Sequence, residues 1–397
     1  MPPSPRPAKP GASRFTAPTR ARSASRVRRW TILLVPLGAL ATLIILTRFE
    51  VWAGDIRNIS AAAAALVQGR PPTPTNLAMY PPTTYLVYTP LGLLAPAAIQ
   101  LLTQLGCIAS MAAVLWIWGQ DGEGRRSPWI LVLLLSPPVL ETIFIDQFNA
   151  VVGLLSLSLL TVLLARHRAG PVAALLGVLT LVTRPFNAIP LLPALGRLFL
   201  DRRRLFGLLG MGALLLIGLA VITWRWDGRF VQDTIHATAG RPLTGLASFV
   251  RLRFGVPGVV ALLGLCAVIE WTVVRLGHGR LASLDMAAIL CALSLLPVQL
   301  GGLYTAVYAL PVLIRLACRL SSPALLVATS AAYSLVFVAA WCLLDLVPHF
   351  PLTAPVVNLY VYAPLFLGVG GSVLLLAAPG ADRRTLPDVE AIEVTAL

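Results

Sequence analysis

Apolar runs separated by short polar joints occupy almost the whole of this chain. A helix needs roughly 20 apolar residues to cross about 30 Å of hydrocarbon. Runs near that length lie at 30–47, 98–118, 129–144, 150–165, 205–224, 256–274, 282–300, 303–317, 323–345 and 357–377, with two shorter runs at 172–182 and 188–200 that meet at an outer turn. Lipid offers no partner to an open backbone group, so such runs close their own hydrogen bonds as helices. The pattern predicts an all-α integral membrane protein, a polytopic helical bundle of about twelve spans with both termini cytoplasmic. The stretch 83–96 is apolar as well, but Pro90 and Pro96 interrupt it and it is short for a crossing. It reads as an interfacial or re-entrant piece.

Composition agrees with the pattern. Hydrophobic residues make up 57% of the chain, charged residues 12%, and mean hydropathy is +0.83, too little polar surface to coat a water-soluble protein of 397 residues. The formal charge of +15 would suggest nucleic acid in a soluble protein. Here the charges sit mostly in joints between spans. With the topology above, nine basic residues fall outside (Arg48, Arg57, Arg70, Arg184, Arg225, Arg229, Arg241, Arg251, Arg253) and the other 22 of 31 inside, the bias expected of cytoplasmic loops. Counting 83–96 as a full span would flip everything after it and reverse the bias.

Residues 1–29, rich in Pro, Ser, Ala and Arg, read as a disordered basic cytoplasmic tail. Residues 30–377 form the membrane domain, with outer loops at 49–97 and 225–253, and 378–397 a cytoplasmic C-terminal tail. The five cysteines (Cys107, Cys266, Cys291, Cys318, Cys342) show no CxxC pair or metal spacing and read as small core residues. The four histidines form no HExxH, and no GxxxxGK[ST] marks an ATP site. Glu270 and Asp285 fall near cytoplasmic ends, close to Arg275 and Arg280 in the chain.

The unusual polar pieces gather on the outer face: the Asp55 loop, Tyr80-Pro-Pro, Asp146-Gln147-Phe148-Asn149, Thr183-Arg184-Pro185, and the loop with Arg241 and Arg251. Polar groups collected at one membrane surface mark a site. Each also has a plain structural reading. Asp55 and Asn149 can cap helices, prolines can turn the chain, and arginines can snorkel to headgroups.

In order along the chain, these residues resemble glycosyltransferase family 87, the polyprenyl-phosphate-mannose-dependent transferases of the GT-C class. The resemblance runs through Asp55 after the first span, the alanines at 61–65, Gly69-Arg70-Pro71, Tyr80-Pro-Pro and Tyr88-Thr-Pro-Leu. It continues through Gln147 and Asn149 after Pro137-Pro138, and through Arg184-Pro185, over roughly residues 30–250. Asp146 stands where the family has Gly and Arg184 where it has Lys. The family's late Trp-x-His-like element reads Gln299-Leu-Gly-Gly-Leu-Tyr304, without a histidine.

The resemblance implies a GT-C fold and transfer of a sugar, by family habit mannose, from a polyprenyl-phosphate donor to a lipid or glycan hydroxyl, at the outer face of the plasma or inner membrane. A sugar on polyprenyl phosphate has a good leaving group already, so one carboxylate suffices where glycoside hydrolysis requires two. Asp55 would serve as general base in a single inverting displacement. Arg184, Arg241 and Arg251 would hold the phosphate, Gln147 and Asn149 the sugar hydroxyls, with Tyr80 and Tyr304 as further substrate contacts. No outer DxD pair occurs, so no metal or other cofactor is expected. Nucleotide sugars, being cytosolic, are unsuited to an outer site. A transporter or flippase of lipid-linked sugars is the rival from another class; it calls for midplane charges or two related halves.

Overall fold

The structure is a computed structural model that describes residues 89–119, 137–144, 148–226, 246–278, 281–296 and 307–320, with short pieces within 39–44, 61–70, 134–135 and 370–377. The described residues are helical, with no strand among them. The principal helices are α1 (Pro96–Trp118), α2 (Pro137–Phe144), α3 (Phe148–Ala165), α4 (Pro171–Thr183), α5 (Pro185–Phe199), α6 (Arg202–Trp226), α7 (Leu246–Gly277), α8 (Ser283–Leu293) and α9 (Leu310–Leu320). Four segments, 97–118, 148–165, 202–222 and 253–277, are long and apolar enough to cross a membrane.

Local chemistry sets where these helices begin. Proline occupies the first turn of α1, α4 and α5, where its missing N–H costs nothing because first-turn donors have no helical partner. Asp201 opens α6 instead, accepting the backbone N–H of Arg204 at 2.8 Å. The end of α3 is closed by His167, which adopts a positive φ of 53°. The N–H of Arg168 then reaches back to the Leu163 carbonyl at 2.9 Å. His167 Nδ1 donates to the carbonyl of Phe199 at 3.0 Å, so one residue finishes two helices.

Within the apolar helices, hydroxyls turn back on their own backbone: Thr103 to Ile99, Ser158 to Leu154, Thr161 to Leu157 and Thr180 to Leu176. A polar side chain can therefore sit in a membrane helix without an outside partner.

Helix α3 is the axis, with 61% of its membrane window buried; it packs against α1 and α4. Helix α5 joins this group to α7 and α8, and α8 pairs with α9. Helix α6 touches α4 and α5, but only 11% of its window is buried. Leu214, Ile217, Val221 and Trp224 on it remain exposed, as a lipid-facing helix requires.

Alternation of chain direction defines two ends. The tip end holds the N-termini of α1, α3, α5 and α9 and the turn between α4 and α5. The base end holds the C-termini of α1, α3, α5 and α7 and the start of α8. At the base end Arg315 Nε donates to Asp285 Oδ1 at 2.7 Å, with both side chains buried. Arg315 Nη1 also reaches the Trp118 carbonyl at 3.4 Å. Trp118 Nε1 donates to Ser158 Oγ at 2.9 Å, tying α1 to α3.

Among the described residues the runs at 98–118, 150–165, 172–182, 188–200 and 205–224 form helices, and the structure differs from the pattern in three places; the runs at 30–47, 323–345 and 357–377 lie wholly or mostly outside the described residues. The run at 256–274 belongs to a helix that begins at Leu246 and kinks at Gly255 (φ 66°), two residues before Pro257. Helix α6 extends to Trp226. Arg225, Arg251 and Arg253 therefore stand on helices rather than in a loop spanning 225–253. Within the run at 282–300 the helix covers Ser283–Leu293 and gives way to a turn at 294–296. Ser294 ends the helix by donating its hydroxyl to the Cys291 carbonyl at 2.7 Å.

The acids also sit differently from their place in the chain. Asp285 pairs with Arg315, and Glu270 lies roughly 10 Å inside the end of α7, 1% exposed, with neither carboxylate oxygen hydrogen bonded. Of the cysteines, Cys107, Cys266 and Cys291 are buried and Cys318 partly buried, none of the four in a disulfide; Cys342 lies outside the described residues.

Part of the expected outer loop is described as well. The alanine-rich stretch is helical at 61, 63–65 and 67. It ends with Gly69 at φ 69° and the Arg70 N–H on the Ala65 carbonyl at 2.9 Å. Thr89–Leu93 is a short 3-10 turn rather than a spanning helix. A β-carbon on Gly92 would lie 2.7 Å from the Ala64 nitrogen. The turn thus rests on the backbone of the alanine-rich helix, and glycine is what permits the approach.

Candidate functional site

The tip end is built from a helical hairpin. Helices α4 and α5 are 13 and 15 residues long, about 20 Å each, and meet at Arg184. Proline at 185 forces the break, because the residue before a proline is turned away from helical geometry. Arg184 accordingly takes φ −145° and ψ 69°, ending one helix and starting the next. The sequence therefore places a guanidinium at the point of a wedge.

Four side chains hold the wedge. Asn149, in the first turn of α3, donates its amide to the Thr183 carbonyl at 3.2 Å. Thr183 Oγ1 donates to the carbonyls of Leu179 at 2.7 Å and Thr180 at 3.1 Å. Asn187, one turn into α5, donates to the carbonyl of Ser294 at 3.1 Å and its hydroxyl at 3.3 Å, which fixes the wedge to α8. All three are buried, as is Ser294.

Gly153 is where the wedge meets α3. A β-carbon there would fall 2.5 Å from Tyr308 Oη, 2.7 Å from Thr183 Oγ1 and 3.4 Å from Arg184 Cγ. Three polar side chains from α4, the α4–α5 turn and the 3-10 turn just ahead of α9 thus converge on a bare patch of helix backbone. Tyr308 is 1% exposed and its hydroxyl has no hydrogen-bond partner. The charge of Arg184 acts on that hydroxyl across the junction. The position lies roughly 7 Å, five helical residues, inside the start of α3.

Chemically this junction is rich in donors. Arginine offers hydrogen-bond donors and no acceptor, and a tyrosine hydroxyl can donate. Such a junction suits an anionic oxygen. No group of three metal-binding side chains occurs among the described residues.

The structure brings together two of the residues expected from sequence, Asn149 and Arg184, through the Thr183 carbonyl. Arg251 stands half-buried on the first segment of α7, ahead of the kink. Asp55, Tyr80, Gln147, Arg241 and Tyr304 lie outside the described residues. Asn149 uses its amide as a clamp on the backbone, a role beside the sugar contact expected of it.

Four contributors were not singled out from sequence: Gly153, Asn187, Ser294 and Tyr308. Asn187 had a signal, since an amide in the first turn of an apolar helix needs a partner. Tyr308 had a weaker one, a hydroxyl near the head of an apolar run. Gly153 had none, because its role depends on what crosses it.

A protein-family model, Glycosyltransferase family 87, matches residues 78–297, more than half of the chain. Asn149, Gly153, Arg184, Asn187, Arg251 and Ser294 fall inside the match, while Asp55 and Tyr308 fall on either side of it. No curated protein and no solved structure matches the chain.

Proposed function

The chain belongs to glycosyltransferase family 87, and from that premise we propose that it moves a sugar, mannose first among the candidates, from a polyprenyl-phosphate donor to a hydroxyl of a lipid or glycan acceptor. The observation that carries this reading is Arg184 at the tip of an apolar helical hairpin, its side chain converging with the Tyr308 hydroxyl on Gly153 and suited to an anionic headgroup. A donor anchored in the bilayer reaches such a site laterally, with its phosphate near the helix ends and its chain in lipid.

In this mechanism the acceptor oxygen attacks the anomeric carbon as the bond from that carbon to the phosphate oxygen breaks. The proton of the acceptor hydroxyl passes to the Asp55 carboxylate, and the leaving polyprenyl phosphate keeps the electron pair. One displacement inverts the anomeric centre. Arg184 offsets the charge that builds on the phosphate, and its planar fork suits two phosphate oxygens at once. Arg241 and Arg251 are second contributors, and Tyr80, Gln147, Asn149 and Tyr304 contact the sugar or acceptor.

The tip end is assigned to the extracytoplasmic side of the plasma or inner membrane, in a bundle of about twelve spans. Support comes from charge. The base end carries Arg166, Arg168, Arg202, Arg203, Arg204 and Arg275, as a cytoplasmic face does.

The test is transfer of radiolabelled sugar from polyprenyl-phosphate mannose in membranes carrying wild type or Asp55→Asn. Transfer by wild type and a loss of at least about a hundredfold in the variant, the size expected for a general base, supports the reading. Equal transfer by both removes Asp55 from the mechanism. No transfer from any polyprenyl-phosphate sugar moves the chain to the handling of lipid-linked sugars without group transfer.

A further inference from the structure

Tyr308 lies outside the family match and outside every motif that pointed to function, yet its hydroxyl sits at the centre of the tip-end junction. A buried hydroxyl without a partner gives up its hydration for nothing in return, and folded proteins seldom keep one. Its neighbours do not supply an acceptor bond. Thr183, Asn187 and Asn149 spend their donor hydrogens on carbonyls and on Ser294, and none of them is hydrogen bonded to the Tyr308 hydroxyl. Arg184 acts on it only as a cation and has no acceptor atom to offer.

A cationic side chain whose Cγ reaches the same junction and a buried hydroxyl that is not hydrogen bonded suit an oxygen carrying negative charge. The bare backbone of Gly153 lets the hydroxyl come this close; a β-carbon there would lie 2.5 Å from Tyr308 Oη. Packing gives no reason for the hydroxyl, since phenylalanine would fill the same space without a polar atom to satisfy.

We propose that Tyr308 binds the donor phosphate together with Arg184, its hydroxyl donating a hydrogen bond to a phosphate oxygen that the guanidinium attracts. The proposal rests on the transferase reading with a polyprenyl-phosphate donor and adds to it a binding residue from the 3-10 turn just ahead of α9. Helix α9 thereby acquires a role in binding, because the turn ahead of it delivers Tyr308 to Gly153 and joins the late part of the chain to the hairpin tip.

The experiment compares wild type and Tyr308→Phe, purified in nanodiscs of zwitterionic lipid, for binding of a polyprenyl monophosphate and of the matching uncharged polyprenol. The expected result is tighter binding of the phosphate than of the polyprenol by wild type, and a phosphate affinity weaker by about 10- to 100-fold in the variant, the value of a hydrogen bond to a charged group. Polyprenol binding stays the same. Without ligand, the variant melts at the wild-type temperature or above it, because an orphaned polar atom has been removed. A merely structural tyrosine would not show weaker phosphate binding together with unchanged or higher stability.

Equal phosphate binding by both proteins overturns the role of Tyr308 and leaves the transferase reading standing. Wild type that does not distinguish phosphate from polyprenol overturns the phosphate site and the donor class together. Nanodiscs containing phosphatidylglycerol separate a dedicated site from general headgroup binding: if the anionic phospholipid competes as well as the polyprenyl phosphate, the proposal also falls.

Discussion

The two ends of the bundle each hold an arginine among buried polar groups, and the two arginines are treated in opposite ways. At the base end Arg315 meets a carboxylate, Asp285, at 2.7 Å and a backbone carbonyl at 3.4 Å. At the tip end Arg184 shares its junction with the Tyr308 hydroxyl, which has no hydrogen-bond partner. The first arrangement closes charge on charge and locks three helices. The second places a guanidinium beside a buried hydroxyl that has no hydrogen-bond partner of its own. Asp285 Oδ2 and both Glu270 oxygens lack hydrogen bonds as well, so what marks the tip end is the kind of group it gathers, a guanidinium beside a hydroxyl, rather than the presence of an unsatisfied atom.

The largest effect should come from breaking the closed end. Arg315→Ala leaves Asp285 buried without its counterion and should cost about 3–5 kcal/mol, seen as loss of folded protein in detergent melting. A double change, Arg315→Met with Asp285→Leu, should recover most of it. Recovery of stability with transfer intact would show that the pair serves the fold alone.

At the tip end the effects should fall on activity instead. Arg184→Ala should lower transfer by about a hundredfold with little change in melting temperature. If melting falls as far as in Arg315→Ala, the contrast between the two ends fails.

Gly153→Ala should damage both properties, because the new methyl meets two polar side chains and must displace them. Overpacking of this kind costs about 1–3 kcal/mol, and the displaced groups include Tyr308 and Thr183. A wild-type phosphate affinity in this variant would contradict the close junction.

The smallest effect should be Asn187→Ala, which removes the clamp on Ser294. A loss of about 1–2 kcal/mol is expected in thermal melting. Transfer should fall only as far as the hairpin tip loosens.

Much of the hairpin was legible in the sequence. The runs at 172–182 and 188–200, split by Thr183-Arg184-Pro185-Phe186, became α4 and α5 with Arg184 at the turn. Proline at 185 and the lengths of the runs are local properties, and local properties survive folding. The short stretch interrupted by Pro90 and Pro96 was legible for the same reason, since proline removes a donor wherever it sits. Beyond the outline of the helices, the partners were not legible. Asp285 lies closer in sequence to Arg275 and Arg280, yet pairs with Arg315 because α8 and α9 run antiparallel and bring residues 30 apart to one level.

By itself the sequence determined that this chain belongs in a membrane, that its described residues are helical, that prolines set several helix starts, and that an arginine stands at a hairpin tip. Those outcomes follow from composition, run length and backbone chemistry, which act within a few residues. The tertiary structure alone decided that Tyr308, Thr183 and Arg184 converge on Gly153, that Asn187 clamps Ser294, and that Arg315 meets Asp285 while the Tyr308 hydroxyl is left without a partner. Each depends on which helices pass beside each other and at what depth, and packing of whole helices settles that through contacts no local stretch contains.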